Sequence, residues 1–123
     1  MEIVDANVIL RYLLKDNDKF YDTAAKIIDN NLIFIPFEVI AEVVYVLEKI
    51  YKVPRIEIQE TLNILFDYPN VSTVEKETLN EALHIYQEKN IDFVDSILIA
   101  HNYVNKHIIH SFDKKVNKLL NIE

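Results

Sequence analysis

The 123-residue sequence contains no glycine and no cysteine. Without glycine the chain has neither phosphate-binding loop pattern, GxGxxG or GxxxxGK[ST], so nucleotide binding through those motifs is excluded. Without cysteine, disulfides, thiol catalysis and cysteine-bound zinc are excluded, as fits a reducing compartment such as the cytoplasm. Turns that need a left-handed residue must use another residue type, and we expect Asn30, Asn70 and Asn90 to serve there.

Long apolar runs and an excess of positive charge are also missing. Half of the residues are hydrophobic, but no run approaches the roughly 18 apolar residues of a membrane span. The N-terminus MEIVDANVIL lacks a basic region and a cleavage site, so we expect no export and a cytoplasmic protein. The net charge of −7 argues against a general nucleic-acid coat, because Lys and Arg drive phosphate binding. It permits a nucleic-acid enzyme, because bound metal ions restore local positive charge to an acidic site.

The hydrophobic period alternates between strand-like and helix-like along the chain. It predicts strands at about residues 2–5, 32–35, 71–74 and 107–111, and helices at about 8–14, 21–29, 36–50, 54–66, 76–88, 92–105 and 114–120. Strands separated by helices imply a small parallel sheet with helices on both faces. A chain of this length forms one domain, so we predict a single α/β domain over residues 1–123.

Four acidic residues stand at informative places on this predicted scaffold. Asp5 ends the first strand and Asp113 follows the last predicted strand, and parallel sheets bind ligands beyond the carboxyl ends of their strands. Asp95 lies in the first turn of a helix, where the helix dipole favours its ionised form. Glu42 falls at the margin of the apolar stripe of its helix, from which it can be half buried and face a cleft.

Each of these acids also has a structural explanation. Asp5 and Asp113 could cap the helices that follow them, and Asp95 could belong to a capping box. Glu42 could be a solvated partner of Lys49. For Asp92, three residues before Asp95 in IDFVDSILIA, the helix N-cap is the preferred interpretation, with the side chain turned back onto the helix N–H groups.

Carboxylates suit one particular kind of chemistry. Mg²⁺ takes oxygen ligands and keeps several waters, so it needs carboxylates and no histidine. Phosphodiester hydrolysis needs an activated water and neutralisation of charge in the transition state, and one or two metal ions can supply both. The residue types therefore favour metal-dependent phosphodiester cleavage.

The four acids lie in motifs that resemble those of a known family. Asp5 in IVDANVILRYLL, Glu42 in IPFEVIAEVVYVL, Asp95 in DFVDSILIA and Asp113 in HSFDKKVNKL resemble the four acidic motifs of the PIN domain. The compact form resembles the VapC-type toxin nucleases of toxin-antitoxin pairs. The resemblance covers nearly the whole chain.

The resemblance implies a three-layer fold, a small parallel sheet between helices, and cleavage of RNA that depends on Mg²⁺ or Mn²⁺. It assigns catalysis and metal binding to Asp5, Glu42, Asp95 and Asp113. Asn7 and Ser111 match frequent polar companions of these acids. It also implies a homodimer and inhibition by a protein antitoxin.

Other functions stay open at this point. The chain could be a catalytically idle interaction domain of the same fold, or a PIN nuclease in RNA processing rather than a toxin. A Rossmann-like phosphatase with an aspartate nucleophile is disfavoured. That class usually has a second aspartate two residues after the first, and Asn7 stands there.

Overall fold

The computed structural model describes residues 1–121 of the chain. These residues form two compact units, an N-terminal unit, Met1–Val74, and a C-terminal unit from Glu75 onward. Within the described residues, no helix is both long and apolar enough to cross a membrane.

The N-terminal unit alternates strands and helices in the predicted order. It contains β1 (Glu2–Ile3), α1 (Ala6–Leu14), α2 (Asp18–Asn30), β2 (Ile33–Ile35), α3 (Phe37–Lys49), α4 (Arg55–Phe66) and β3 (Val71–Thr73). The strands pair in parallel in the order β1-β2-β3. Ile33 and Ile35 of the central strand point to the same face of the sheet and are fully buried, whereas Phe34 on the opposite face is half buried.

Helix α3 packs one face into the core, and prolines mark the starts of α3 and α4. Helix α3 buries Ile40, Val43, Val44 and Leu47, which follow the i, i+3, i+4, i+7 spacing of one helix face. Pro36 and Pro54 stand at the N-cap positions of α3 and α4, one residue before the first-turn position that the sequence predicts. The two prolines therefore mark the N-terminal ends of α3 and α4.

The C-terminal unit is helical. It contains α5 (Lys76–Lys89), α6 (Phe93–Asn105) and α7 (Lys114–Leu119). Helices α5 and α6 share a core in which the rings of Tyr86 and Phe93 meet edge to face at 5.8 Å. The Tyr103 hydroxyl donates to the Leu119 carbonyl at 2.8 Å, which ties α6 to α7. The parallel sheet of the first unit and the helices of both confirm the α/β class.

The strand predicted at residues 107–111 is wrong, because this segment is irregular in the structure. Ile108 is 81% exposed, so its side chain has no core to join. The Asn102 side-chain amide donates to the His107 carbonyl at 2.9 Å, which ties the start of the segment to the end of α6. An apolar run has strand composition, but a strand also needs a backbone partner and a surface to pack on.

The missing glycines are replaced differently from the prediction. Among the described residues, positive φ angles occur at Lys15, Lys52, Glu75, Asn90, Lys106 and Asn121. Asn90 ends α5 as expected. The prediction is wrong for Asn30 and Asn70, which do not have positive φ angles. The Asn70 amide instead donates to the carbonyls of Ile28 and Asn31 at 2.6 and 2.9 Å, which ties the residue before β3 to the end of α2.

Candidate active site

Asp5 lies two residues beyond β1 and begins α1. Its Oδ1 accepts a hydrogen bond from the Val8 backbone N–H at 3.0 Å, so the residue is the N-cap of α1. The side chain is exposed, and a cap of this kind uses one of the two carboxylate oxygens. The capping role expected as an alternative is therefore real, and the second oxygen is left to face solvent.

Asp5 also lines an open cleft of about 610 Å³ in the N-terminal unit. The same cleft is lined by Pro36, which follows β2, and by Glu38 in the first turn of α3. The cleft therefore lies at the carboxyl ends of β1 and β2, where a parallel sheet of this kind binds ligands. The sequence prediction for Asp5 is matched by this position at the sheet edge.

Glu42 is exposed on α3, one helical turn after Glu38. Glu38, and not Glu42, is among the residues that line the described cleft. The sequence predicts the acidic role at Glu42, and the spacing of four residues already indicates that Glu38 lies on the same side of the helix. The Lys49 ammonium, considered as a partner of Glu42, lies 3.7 Å from Glu48.

In the C-terminal unit, the two carboxylates of IDFVDSILIA behave differently from each other. Asp92 occupies the N-cap position of α6, but its side chain makes no capping hydrogen bond. Its backbone carbonyl accepts from the Ser96 hydroxyl at 2.9 Å. The predicted side-chain cap by Asp92 is therefore wrong, although the predicted position is right.

Asp95 is half buried in the first turn of α6. Burial and the nearby charges of Asp113 and Asp92 raise the pKa of its carboxyl above the ordinary value. Burial removes water from the charged form, and two like charges add repulsion. Asp95 and Asp113, predicted from distant parts of the sequence, are thus brought within electrostatic reach of each other.

Asp113 begins α7 as its N-cap, and its Oδ1 accepts from the Val116 N–H at 3.0 Å. The Asp113 N–H donates to the Ser111 hydroxyl at 3.0 Å, and the Asn117 amide donates to the Ser111 carbonyl at 2.8 Å. Ser111 therefore holds the turn that carries Asp113. The acid is positioned by a helix cap and a local turn rather than by the strand that the sequence predicted.

The predicted acids are brought together in part. Asp95 and Asp113 interact in the C-terminal unit, and Asp5 lines a cleft of the N-terminal unit. Within either unit, the described residues contain no group of three or more His, Asp or Glu side chains arranged to hold a metal ion. Asn7, the predicted companion of Asp5, is exposed in the first turn of α1.

The chain matches known proteins over nearly its full length. The family model of the PIN domain matches residues 3–119. The chain belongs to the PIN domain family. It is also 27% identical over 127 aligned positions to a VapC ribonuclease of Aquifex aeolicus (strain VF5), an alignment that covers 97% of this chain and 92% of the relative. No solved structure matches the chain.

The PIN domain match includes all four predicted acids and both structural units. It therefore confirms the resemblance noted from the four motifs. The individual roles of Asp5, Glu42, Asp95 and Asp113 stay predictions.

Proposed function

We propose that this PIN domain is a metal-dependent endoribonuclease, and that it is the toxin of a type II toxin-antitoxin pair. The proposal treats residues 1–123 as one domain whose catalytic and metal-binding residues are Asp5, Glu42, Asp95 and Asp113. The observation that carries it is the electrostatic interaction of Asp95 with Asp113, in a chain that aligns with a VapC ribonuclease over 97% of its length.

The chemistry of the acids fits a divalent cation. Asp95 is half buried beside two other carboxylates, an arrangement that costs free energy without a counterion. Burial of charge is tolerated when a metal or a cationic partner compensates it. Oxygen ligands of this type favour Mg²⁺ or Mn²⁺ over softer metals. Such an ion, when bound, lowers the pKa of a bound water and neutralises charge on the phosphate.

The chain's own residues orient the reacting groups. One oxygen of Asp5 and one of Asp113 are fixed by helix N–H groups, which leaves the other oxygen of each held in a defined direction. Asp95 sits at the positive end of the α6 dipole, which offsets part of the burial and like-charge repulsion that raise the pKa of its carboxyl. Glu42 is either a further ligand or the group that orients the attacking water.

The proposal extends to partners and location. The substrate is RNA, and a protein antitoxin silences the enzyme, with a basic side chain placed among the acids. We also propose that the protein forms a homodimer. Exposed apolar side chains on α3 and α4, such as Phe37 and Ile56, at 37% and 44% exposed, supply surface for such contacts. An RNA substrate and a cysteine-free chain agree with the cytoplasm.

The decisive experiment measures cleavage of a labelled RNA by the purified protein. We expect cleavage with Mg²⁺ or Mn²⁺ and none with EDTA. Asp5→Asn should abolish cleavage while keeping the fold, because asparagine caps a helix about as well as aspartate. Glu57→Gln on the exposed surface of α4 is the matched control and should cut like the parent.

Metal-independent cleavage that survives Asp5→Asn would overturn the proposal. A folded protein that never cuts RNA, with or without metal, would favour an idle interaction domain. Cleavage of a precursor RNA without growth arrest in cells would assign the enzyme to RNA processing instead of a toxin role.

A further inference from the structure

A second concave site lies in the N-terminal unit, at the opposite end of α1 from Asp5. This tyrosine pocket has a volume of about 210 Å³ and takes side chains from α1, α2 and α4 together with Tyr68. Leu65 is its buried floor, Tyr12, Tyr21 and Tyr68 are half-buried walls, and Lys15 lies at the exposed rim. The site is below the size of a typical drug-like pocket, so it suits one small ring system.

The aromatic walls are held in fixed orientations. The rings of Tyr12 and Tyr21 are nearly parallel, with centroids 5.9 Å apart, and Tyr68 meets Tyr12 edge to face at 6.5 Å. The Tyr12 hydroxyl donates to Asp29 at 3.1 Å and lies 3.0 Å from the Tyr68 hydroxyl. Side chains locked in this way lose little entropy when a ligand binds.

The hydrogen bonds also decide what the pocket can accept. A carboxylate only accepts, so the single Tyr12 proton goes to Asp29, and the Tyr68 hydroxyl must donate to the Tyr12 oxygen. Burial and these two hydrogen bonds raise the pKa of the Tyr12 hydroxyl well above its usual range, so this direction holds at neutral pH. The Tyr68 oxygen therefore keeps acceptor capacity for a ligand N–H group.

The rim adds a positive charge. The Lys15 ammonium lies 5.5 Å from the centre of the Tyr21 ring, and its backbone is left-handed with its N–H bonded to the Arg11 carbonyl. Aromatic walls, an acceptor and a nearby cation together match one chemical class, a flat heterocyclic base with N–H donors that carries a phosphate. Base stacking on aromatic rings contributes affinity in addition to the electrostatic contacts with the phosphate.

The position on α1 favours RNA as the source of that base. Val8 lines the cleft of Asp5 and Tyr12 lines the tyrosine pocket. Residues four apart lie on one helix face, about 6 Å apart along the axis. A single strand that follows this face of α1 from the cleft therefore reaches the tyrosine pocket within a short distance.

We propose that the tyrosine pocket binds one unpaired RNA nucleotide next to the cleavage site, with its base against the tyrosine rings and its phosphate at Lys15. This inference rests on the proposed ribonuclease function, because it names how that enzyme would hold its substrate.

The direct test titrates adenosine and uridine monophosphate into ¹⁵N-labelled protein in EDTA and records amide chemical shifts. We expect shifts at and around Tyr12, Lys15, Tyr21 and Tyr68, and their loss in Tyr21→Leu. Tyr45→Leu, on the exposed face of α3, is the matched control and should keep them. Circular dichroism checks that both variants fold.

The second arm measures the affinity of a labelled single-stranded RNA in EDTA, where the proposed enzyme cannot cut. Tyr21→Leu should weaken binding about fivefold or more, from the stacking contribution of one base. Lys15→Gln should reduce the slope of log Kd against log salt by about 0.7. Lys52→Gln, an exposed lysine that is also left-handed, should leave the slope unchanged.

The outcomes separate the two proposals. If the parent cuts and binds RNA and Tyr21→Leu binds it equally well, the tyrosine pocket proposal is overturned and the nuclease stands. If Tyr21→Leu changes the molar mass by light scattering and leaves RNA affinity alone, the pocket is a protein contact and the proposal is also overturned. If the parent shows no RNA binding and no cleavage, both proposals fall together.

Discussion

Asp5 and Asp92 occupy the N-cap positions of α1 and α6, but only Asp5 caps its helix with its side chain. Asp5 bonds the Val8 N–H of its own helix, whereas Asp92 makes no such bond to α6. At α6 the charge that matters is Asp95, which is half buried and repelled by Asp92 and Asp113. An acid that satisfies a helix end stabilises the fold, whereas crowded acids are retained at a cost, which points to function.

The largest expected difference between Asp95 and Asp92 is in catalysis. Asp95→Asn should reduce RNA cleavage at least about 100-fold, a loss of roughly 2.7 kcal/mol or more of transition-state stabilisation. Asp92→Ser should keep most of the activity. Single-turnover rates with Mg²⁺ measure both. If Asp92→Ser is inactive and Asp95→Asn active, the ligand has been assigned to the wrong carboxylate of α6.

The next effect separates the two glutamates of α3. Glu42→Gln should reduce cleavage by at least about 10- to 100-fold, the usual loss when a residue that orients the ligands of a metal is changed, and Glu38→Gln should reduce it less. Cleavage rates over a range of Mn²⁺ concentrations provide the measurement. A larger loss with Glu38→Gln would mean that the residue lining the Asp5 cleft, and not the family's glutamate position, holds the ion.

A smaller effect concerns the cost of crowding around Asp95. Asp113→Asn keeps the α7 cap but removes one repelling charge, so it should raise the melting temperature in EDTA by about 2 °C. Differential scanning calorimetry with and without Mn²⁺ measures this. Added Mn²⁺ should stabilise the parent and help the variant much less. An equal response of both proteins to Mn²⁺ would contradict a shared ion at Asp113.

The pH dependence of that difference follows from the sign of the Asp95 shift. Its pKa is higher in the folded protein than in the unfolded chain, so the folded state binds the proton more tightly. The penalty is therefore absent below the ordinary Asp pKa of about 3.9, grows as the pH rises from there to the raised value, and is constant above it. The stability gap between parent and Asp113→Asn should close as the pH falls toward 4.

The smallest expected effects are changes in unfolding free energy that come from helix capping alone. Asp5→Ala should cost about 1 kcal/mol of unfolding free energy, whereas Asp5→Asn should cost much less. Asp92→Ala should change stability by less than about 0.5 kcal/mol, because it removes no cap. Urea denaturation measures all three. A loss at Asp92→Ala as large as that at Asp5→Ala would show that the two helix ends are alike after all.

The sequence predicted the N-terminal unit more accurately than the C-terminal unit. Strands such as Ile33–Ile35 are buried apolar runs whose partners lie in the same pattern, so Asp5 could be placed at a sheet edge. Residues 107–111 contain adjacent isoleucines, but they have no core to join, and Ile108 is exposed. Asp113 was therefore predicted at a strand end and found at a helix cap. The hydrophobic periodicity of a segment indicates that it is buried, but it does not identify the segment against which it packs.

The tertiary relations were the least predictable part. The proximity of Asp95 to Asp113 came from the family resemblance, because no local pattern links residues 18 positions apart. The unbonded side chain of Asp92 could not be foreseen either, since its sequence context fits a capping box as well as that of any true cap. The tyrosine pocket needs three separate segments, and none of them carries a recognisable motif.

Six of the residues that the structure describes are left-handed, in a chain without glycine, and this has a consequence for the unfolded state. A lysine or glutamate at positive φ costs roughly 1–2 kcal/mol of backbone strain, which glycine would avoid. Glycine would also give the denatured chain more conformations to lose, at about 0.4–1 kcal/mol for each position. The folded protein therefore contains local backbone strain at these positions. Its unfolded chain has less conformational entropy than a chain with glycine there, so it loses less entropy on folding, and this smaller loss stabilises the folded state.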